Sequence, residues 1–461
     1  MDHQPLHPST AQGSDPGRLT TVSTALAAAA LLPALPASAG DLTPIGFTGP
    51  GRFSLAYTPS SAIPAVRVLQ TRTGLEASGW QTAHQVHLDW ESGVLLLDSV
   101  FATPPRGAMF RLVESPEGWA SISEPLPALP GGTYTLTYAI NGAGRMALTC
   151  DTSPDSDDAR AALWDGDEIV DLGIIPGEQQ SWAFGISSSG QVIGRAGMGV
   201  HSGAHRWHAF VYENGTKSAL PKMGGGTSVY QRAIAYDIND RDQIAGQNRT
   251  STWGDFHAVV WTKTGDTWNP PTDLGTAPGG NNAAAQAISP SGEFVAGYSN
   301  LSGDNSPQPC LWSKNGGTWT VEPLGSFGGT YGHSSDVTDT GEIVGYALDA
   351  TNTYRPFYLS ESDGTVRLDA PEGYHTYARC LTAEGLVLGH TTSAFGNSQA
   401  CYWKKTPGGW QYHNLNFEVP LPPGWKLGTL LDVTPDGNAA VNVHVPEAGW
   451  RAAVLDLKNG S

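Results

Sequence analysis

One pattern recurs seven times after residue 131, and it constrains the fold of this 461-residue chain more than any other feature. Each copy opens with a short apolar stretch that ends in Asn, Ser or Thr and runs into a tight turn, usually with Gly. The copies are AINGAG (139–144), GISSSG (185–190), DINDRD (237–242), AISPSG (287–292), DVTDTG (336–341), CLTAEG (380–385) and DVTPDG (432–437). Asn, Ser and Thr suit the start of such a turn because their side chains hydrogen-bond the backbone two residues on, and Gly tolerates positive φ at its end. A second apolar stretch follows at once, as in QVIGR (191–195), QIAGQ (243–247), EFVAGY (293–298), EIVGY (342–346) and LVLGH (386–390). After a variable polar loop comes a third, ending in an aromatic or Leu, such as AVVW (258–261) or ACYW (400–403). A fourth, more polar stretch leads to a Gly-rich corner.

The last turn residues (144, 190, 242, 292, 341, 385, 437) are 44 to 52 residues apart. Four short strands at that period are the signature of a β-propeller blade, with a solenoid as the alternative. The nearly continuous apolar third stretches fit strands buried on both faces by neighbouring blades. Composition agrees: 57 Gly and 33 Pro are hard to place in helix interiors, while 15 Trp supply a core. The last copy stops after its third stretch, and WASISEPLPALPGG (119–132) looks like the missing fourth. The expectation is an all-β fold: a seven-bladed β-propeller over 116–461, closed by a 119–129 strand paired with the 425–457 blade. Closure would remove the exposed sheet edges that invite aggregation.

Ahead of the ring, residues 40–115 do not share the repeat. Their strand-like pieces (RFSLAY, AVRVLQTR, HQVHLDW, GVLLLDSV, AMFRLVE) predict a small β-sandwich module. Trp80, Leu97, Asp98 and Phe110 to Val113 resemble the closing "W…LD…FRLV" run of add-on modules in secreted bacterial proteins. Residues 1–39 read as a secretory signal peptide: an uncharged apolar stretch from Val22 to Leu35, then Ala37-Ser38-Ala39 as an A-x-A cleavage site before Gly40. Arg18 is the only basic side chain upstream. No later stretch reaches about 18 uncharged apolar residues, so no transmembrane segment is expected in the mature chain. Together these predict an extracellular or cell-surface monomer.

The repeat resembles the HAF-repeat family of extracellular bacterial proteins. Its hallmark is A-x-x-I-N-x-x-G-Q-V-V-G, then His-Ala-Phe and an aromatic, then D-L-G and a Gly-Gly corner. The nearest copies are Ala183 to Gly194 with His208-Ala209-Phe210, and Ala235 to Gly246 with His257-Ala258-Val259 and Asp273-Leu274-Gly275. Copies one and seven depart most, lacking the Gly that ends the second stretch. The likeness spans residues 131–461 and implies secretion and a repeat fold, without an assigned chemistry.

The net charge of −18 works against binding nucleic acid, whose affinity comes mainly from basic residues. Cys150, Cys310, Cys380 and Cys401 have no metal or redox spacing and read as buried thiols. His208 and His257 share a repeat phase with Arg160, Gln308, Arg355, Gln399 and Arg451, which reads as a structural contact rather than catalysis. Asp237, Asp336 and Asp432 share another phase on alternate blades, too scattered for an acid pair, and are expected to brace the turn. His201, His205 and His208 lack a partner to complete a zinc site. The acidic loop 151–159, with Asp151, Asp155, Asp157 and Asp158, lacks calcium-loop spacing and reads as a solvated charge run. No cofactor, metal or catalytic motif is expected.

Six of the seven corners carry an aromatic within a few residues of Gly: Tyr134, Trp182, Tyr230, Tyr331, Tyr374 and Trp425, beside Gln231, Asn282, His333 and His375. In a propeller these corners share a face with the loops between second and third strands. Tyr134, Trp182, Tyr230, Tyr331, His333, Tyr374 and Trp425 are therefore the candidate ligand-binding residues, with wedging between blades as the alternative. Flat rings with polar neighbours suit sugar rings or extended peptides. The expected function is secreted, non-catalytic binding of a carbohydrate or peptide; the alternatives are a carbohydrate-active hydrolase or lyase at the channel mouth and a purely structural envelope protein.

Overall fold

A computed structural model describes residues 120–461 apart from 154–158, 198–206, 229, 302–305, 383, 394–395, 423 and 458–461, and for 41–115 only backbone strands. The signal-peptide expectation lies outside the described residues. Seven antiparallel sheets form the ring, six of them in plain chain order from first to fourth strand. Their first strands are Thr135–Ile140, Gln180–Ile186, Ala233–Asn239, Ala283–Ile288, Gly328–Val337, His375–Leu381 and Lys426–Val433. Each first strand touches the first strands of both neighbouring blades all the way round, so these seven line the axis. The protein is an all-β, seven-bladed propeller.

The seventh blade draws strands from both ends of the ring. Lys426–Val433, Asn438–Val445 and Gly449–Leu457 are completed by Ala120–Ile122, with Ile122 opposite Leu455 and Ala120 opposite Leu457. Ser123 extends the seam, donating its N–H to the Val454 carbonyl at 2.9 Å and receiving the Val454 N–H on its hydroxyl at 3.0 Å.

Turn chemistry explains why the motif repeats. All seven terminal turn residues occupy left-handed backbone: Gly144, Gly190, Gly292, Gly341, Gly385 and Gly437 at φ 73 to 89°, and Asp242, the one non-glycine among them, at 53°. Asn141 and Asn239 accept turn N–H groups and donate across the blade boundary to the Ser187 and Ser289 carbonyls at 2.9 and 3.0 Å.

Every first strand also bulges one residue before the Asp phase, which turns one extra side chain on each blade. Those residues are Tyr138, Phe184, Tyr236, Gln286, Ser335, Arg379 and Leu431, all half-buried. The bulge presses the strand's carbonyl against the motif glycine of the second strand. A Cβ on Gly194 or Gly389 would lie 1.9 Å from the Trp182 or Tyr377 oxygen, so these positions admit no side chain.

Third strands supply the packing between blades. Trp261, Trp312, Trp403, Phe210 and Phe357 are among the largest fully buried side chains. Trp261 Nε1 donates to the Pro221 carbonyl at 2.7 Å and Trp403 Nε1 to that of Asp369 at 2.6 Å, each pinning the corner before its blade; Trp312 Nε1 has no partner. All four cysteines are buried and unpaired.

In the N-terminal region, Asp41–Gly49, Arg52–Thr58, Val94–Asp98 and Val86–Asp89 form one antiparallel sheet; Gln81–Thr82, Val66–Thr73 and Ala108–Ser115 form another. Among the described residues no helix is long and apolar enough to cross a membrane.

Candidate functional site

The Asp phase forms bridges between blades. Asp237 Oδ1 accepts the Ile238 N–H and Oδ2 the Ile288 N–H of blade 4, both at 2.8 Å. Asp336 does the same with Val337 and with Leu381 of blade 6, and Asp432 with Val433 and with Ile140 of blade 1. Burial raises all three carboxyls, Asp237 to about 6 and Asp432 to about 7, in opposition to these N–H bonds; repulsion from Asp336 adds to the rise of both. Both oxygens of each Asp are thus occupied, and the latch reaches past the turn to the next blade.

Nearer the corner face, the axis is walled by rings. Tyr138 and Phe184 meet edge-on at 5.3 Å, and Phe184 stacks toward Tyr236 at 6.0 Å, so one aromatic layer spans blades 1 to 3. Above it in blade 2, the Arg195 guanidinium lies 4.5 Å from the Trp182 ring and 4.4 Å from that of Trp207, the two indoles themselves meeting edge-on at 5.2 Å. Burial lowers the Arg195 pKa.

A larger cluster spans blades 4 to 6. His333 stacks on Tyr298 at 4.2 Å and Tyr331 at 5.0 Å, and its Nδ1 is 3.2 Å from the Tyr346 hydroxyl. Tyr346 packs on Tyr354 and Tyr377, and Tyr377 stacks on His390 at 5.0 Å. The Arg379 guanidinium, from the bulge of blade 6, sits 5.2 Å from the Tyr346 ring and 5.3 Å from that of Tyr377. Burial, aided by the charge of Arg379, pushes His333 down to about 3 and His390 well below the usual range, so both imidazoles are neutral at physiological pH. Burial raises the phenols, Tyr377 to about 12. Tyr236 lies within electrostatic reach of Arg195 on one side and of Tyr298 and Tyr331 on the other, which ties the two clusters to one axis.

Of the sequence candidates, Trp182, Tyr331 and His333 belong to this wall. Tyr134 is half-buried at its corner, its N–H held by Asp151 Oδ1 at 2.9 Å. Tyr230 stacks on the exposed Trp253 at 5.7 Å, and Tyr374 sits half-buried at the corner before blade 6. Trp425 packs against the core shared by blades 6 and 7.

Asp151 departs from the solvated-charge expectation: it is buried and accepts the Thr133 and Tyr134 N–H groups and the Thr133 hydroxyl, bracing the first corner. Residues 154–158 lie outside the described set. The His208 phase also anchors structure, with His208 Nε2 on Glu178 at 3.0 Å, His257 on Asp273 at 2.9 Å, and Arg355 on Asp349 at 2.9 Å. His201 and His205 are outside the described residues, among which no group of three or more His, Cys, Asp or Glu could hold a metal.

Sequence reasoning missed most of the wall, although two signals mark it. The residue after each motif glycine is Arg195, Gln247, Tyr298, Tyr346 or His390, and the residue before the Asp phase is the bulged one.

No protein-family model and no curated protein matches the chain. Among solved structures, a puromycin-hydrolyzing peptidase from Mycobacterium tuberculosis aligns at 9% identity with a TM-score of 0.45, covering 73% of this chain and 56% of that one. The chain thus spans little more than half the length of that peptidase. A mutant of Aleuria aurantia lectin in complex with alpha-methyl-L-fucoside aligns at 13% identity and TM-score 0.37, covering 65% and 99%. The β-propeller domain of the Trilobed protease from Pyrococcus furiosus aligns at 7% identity and TM-score 0.39, covering 82% and 98%. Fold and geometry define the class: a closed seven-bladed propeller with an aromatic, basic axial wall.

Proposed function

We propose that the protein is a secreted, non-catalytic carbohydrate-binding propeller that takes its ligand on the corner-face end of the axis. The observation that carries this reading is the run of contacting rings from Tyr298 through Tyr331, His333, Tyr346, Tyr354 and Tyr377. These present flat apolar faces beside hydroxyl and imidazole edges, the combination that suits the faces and rims of pyranose rings. The occupied oxygens of Asp237, Asp336 and Asp432 support a binding role over hydrolysis, which needs a carboxyl group free to protonate or attack the substrate.

A lyase is the second reading, favoured by the His333–Tyr346 pair beside Arg379. A histidine pushed down to about 3 is a weak base, which ranks this reading below binding. A glycan array probed with the purified protein, followed by chromatography of each bound glycan after incubation, separates the two. Retention of intact glycan is expected, with loss of binding in Tyr331→Ala. New reducing ends or unsaturated products would replace binding by catalysis, and no retention of any glycan would remove the carbohydrate reading.

A further inference from the structure

Two guanidinium groups stand in the wall without a carboxylate. Arg195 is held by Trp182 and Trp207, with Phe184 at 5.7 Å; Arg379 lies over Tyr346 and Tyr377. Neither makes an ion pair among the described residues, although the chain carries 43 Asp and Glu against 25 Lys and Arg. The Nε of each is buried and has no hydrogen-bond partner. Arg249, 5.1 Å from the Phe256 ring, shares the unpartnered Nε but donates its Nη1 to the Thr252 carbonyl, and Arg355 meets Asp349 and the Pro371 carbonyl. Burial raises the Tyr138 phenol, and both Arg195 and Arg379 lie near enough for their charges to oppose that rise.

Arg379 also reaches the Tyr346 hydroxyl, but burying a cation with no carboxylate is costly, and a planar guanidinium clamped by rings is pre-organised for a bidentate acceptor. We infer that Arg195 and Arg379 receive carboxylate groups, and that the ligand is a short acidic saccharide containing uronic acid residues. The sugar rings lie on the aromatic wall while the carboxylates meet the two forks. This inference rests on the carbohydrate-binding reading above. The net charge of −18 sets a limit on the ligand: a long polyanion is repelled by the acidic exterior, whereas a short chain or a chain end entering the axis is met by the two cations.

The test is calorimetric titration of the purified protein with oligogalacturonate, with a neutral galactose oligosaccharide of the same length, and with an acidic peptide. The uronate is expected to bind at least about tenfold more tightly than its neutral counterpart, the scale of one hydrogen bond to a charged group. Its affinity should fall with added salt. Arg195→Gln and Arg379→Gln should each remove about that factor for uronate and cost the neutral sugar several-fold less, with circular dichroism and the thermal melt showing that the variants are folded. Arg195→Lys and Arg379→Lys keep the charge but lose the fork, and should recover only part of the uronate affinity.

Equal affinity for neutral and acidic sugars, or indifference to both arginines, overturns the uronate assignment and leaves the carbohydrate reading standing. Binding of none of the three overturns the uronate assignment, and binding of the acidic peptide alone overturns both.

Discussion

Replacing Asp432 by Asn isolates the electrostatics of the latch between the last blade and the first. The carboxylate accepts the Ile140 and Val433 N–H groups, both at 2.8 Å. Burial dominates these bonds and raises the native carboxyl from 3.8 to about 7, with Asp237 and Asp336 adding repulsion. Between those values the native protein holds a proton that the unfolded chain has released. Its stabilising contribution is therefore complete below pH 4 and is lost as the pH rises through 7. A gap of roughly three pH units corresponds to at most about 4 kcal/mol. Asn is neutral throughout and accepts only one of the two N–H groups, a loss that does not change with pH. The stability difference between the two proteins should move in favour of Asp432→Asn by up to that amount between about pH 3 and pH 8. Paired carboxylates such as Asp349, which Thr351 and Arg355 hold low against the upward push of burial, affect both proteins alike and cancel in the difference. Urea unfolding followed by Trp fluorescence at three pH values measures it. A difference that is constant with pH, or a parent that gains on the variant as pH rises, would refute the dominance of burial over the two N–H bonds.

Three further outcomes follow from packing. Trp261→Phe leaves the half-buried Pro221 carbonyl without its indole donor, whereas Trp312→Phe strands nothing, so thermal melts should show the first costing about 1 kcal/mol more. Gly389→Ala sets a Cβ 1.9 Å from the Tyr377 oxygen and should cost about 3 kcal/mol in chemical denaturation, because backbone rather than a flexible side chain must move; a loss under about 1 would mean the bulge adjusts freely. Deleting 116–130 opens the seventh blade and uncovers the sites of Leu126 and Leu129, each worth about 2 kcal/mol of burial; a truncated protein with the parent's melting temperature would contradict the closure seen at Ala120–Ile122.

The ring was legible because its information is local and repeated. Turn geometry demands Gly at residues 144, 190, 292, 341, 385 and 437, and seven copies make that demand visible above sequence drift. The axial wall was harder to read because it is assembled across blades: His333, Tyr298 and Tyr377 come from three different repeats and are joined only when the ring closes. Corner aromatics look equivalent by position, yet Trp182 lies within its strand beside Arg195 and Trp207, whereas Trp425 precedes the Lys426–Val433 strand and packs into the core of blades 6 and 7. The Asp phase suggested a local brace, and its reach to the following blade depends on the spacing between inner strands, which no single repeat encodes.

The carboxylate latches join blades 3 to 4, 5 to 6 and 7 to 1. That leaves one blade whose innermost strand neither gives nor receives such a bond: blade 2, the blade of Trp182, Phe184 and Arg195. Its outer strands are tethered, through Lys263 to Glu213 and through Trp261 to Pro221, while its inner strand is held to blade 1 by Ser181, whose N–H donates to the Ala159 carbonyl at 2.9 Å and whose hydroxyl accepts the Ala161 N–H at 3.0 Å. The alternation of latches is therefore broken at one place on the circumference, and the blade at that place carries a guanidinium with no carboxylate beside it. A ligand arriving beside Arg195 meets the one inner strand that is joined to its neighbours by a serine and by turn contacts rather than by a buried axial carboxylate.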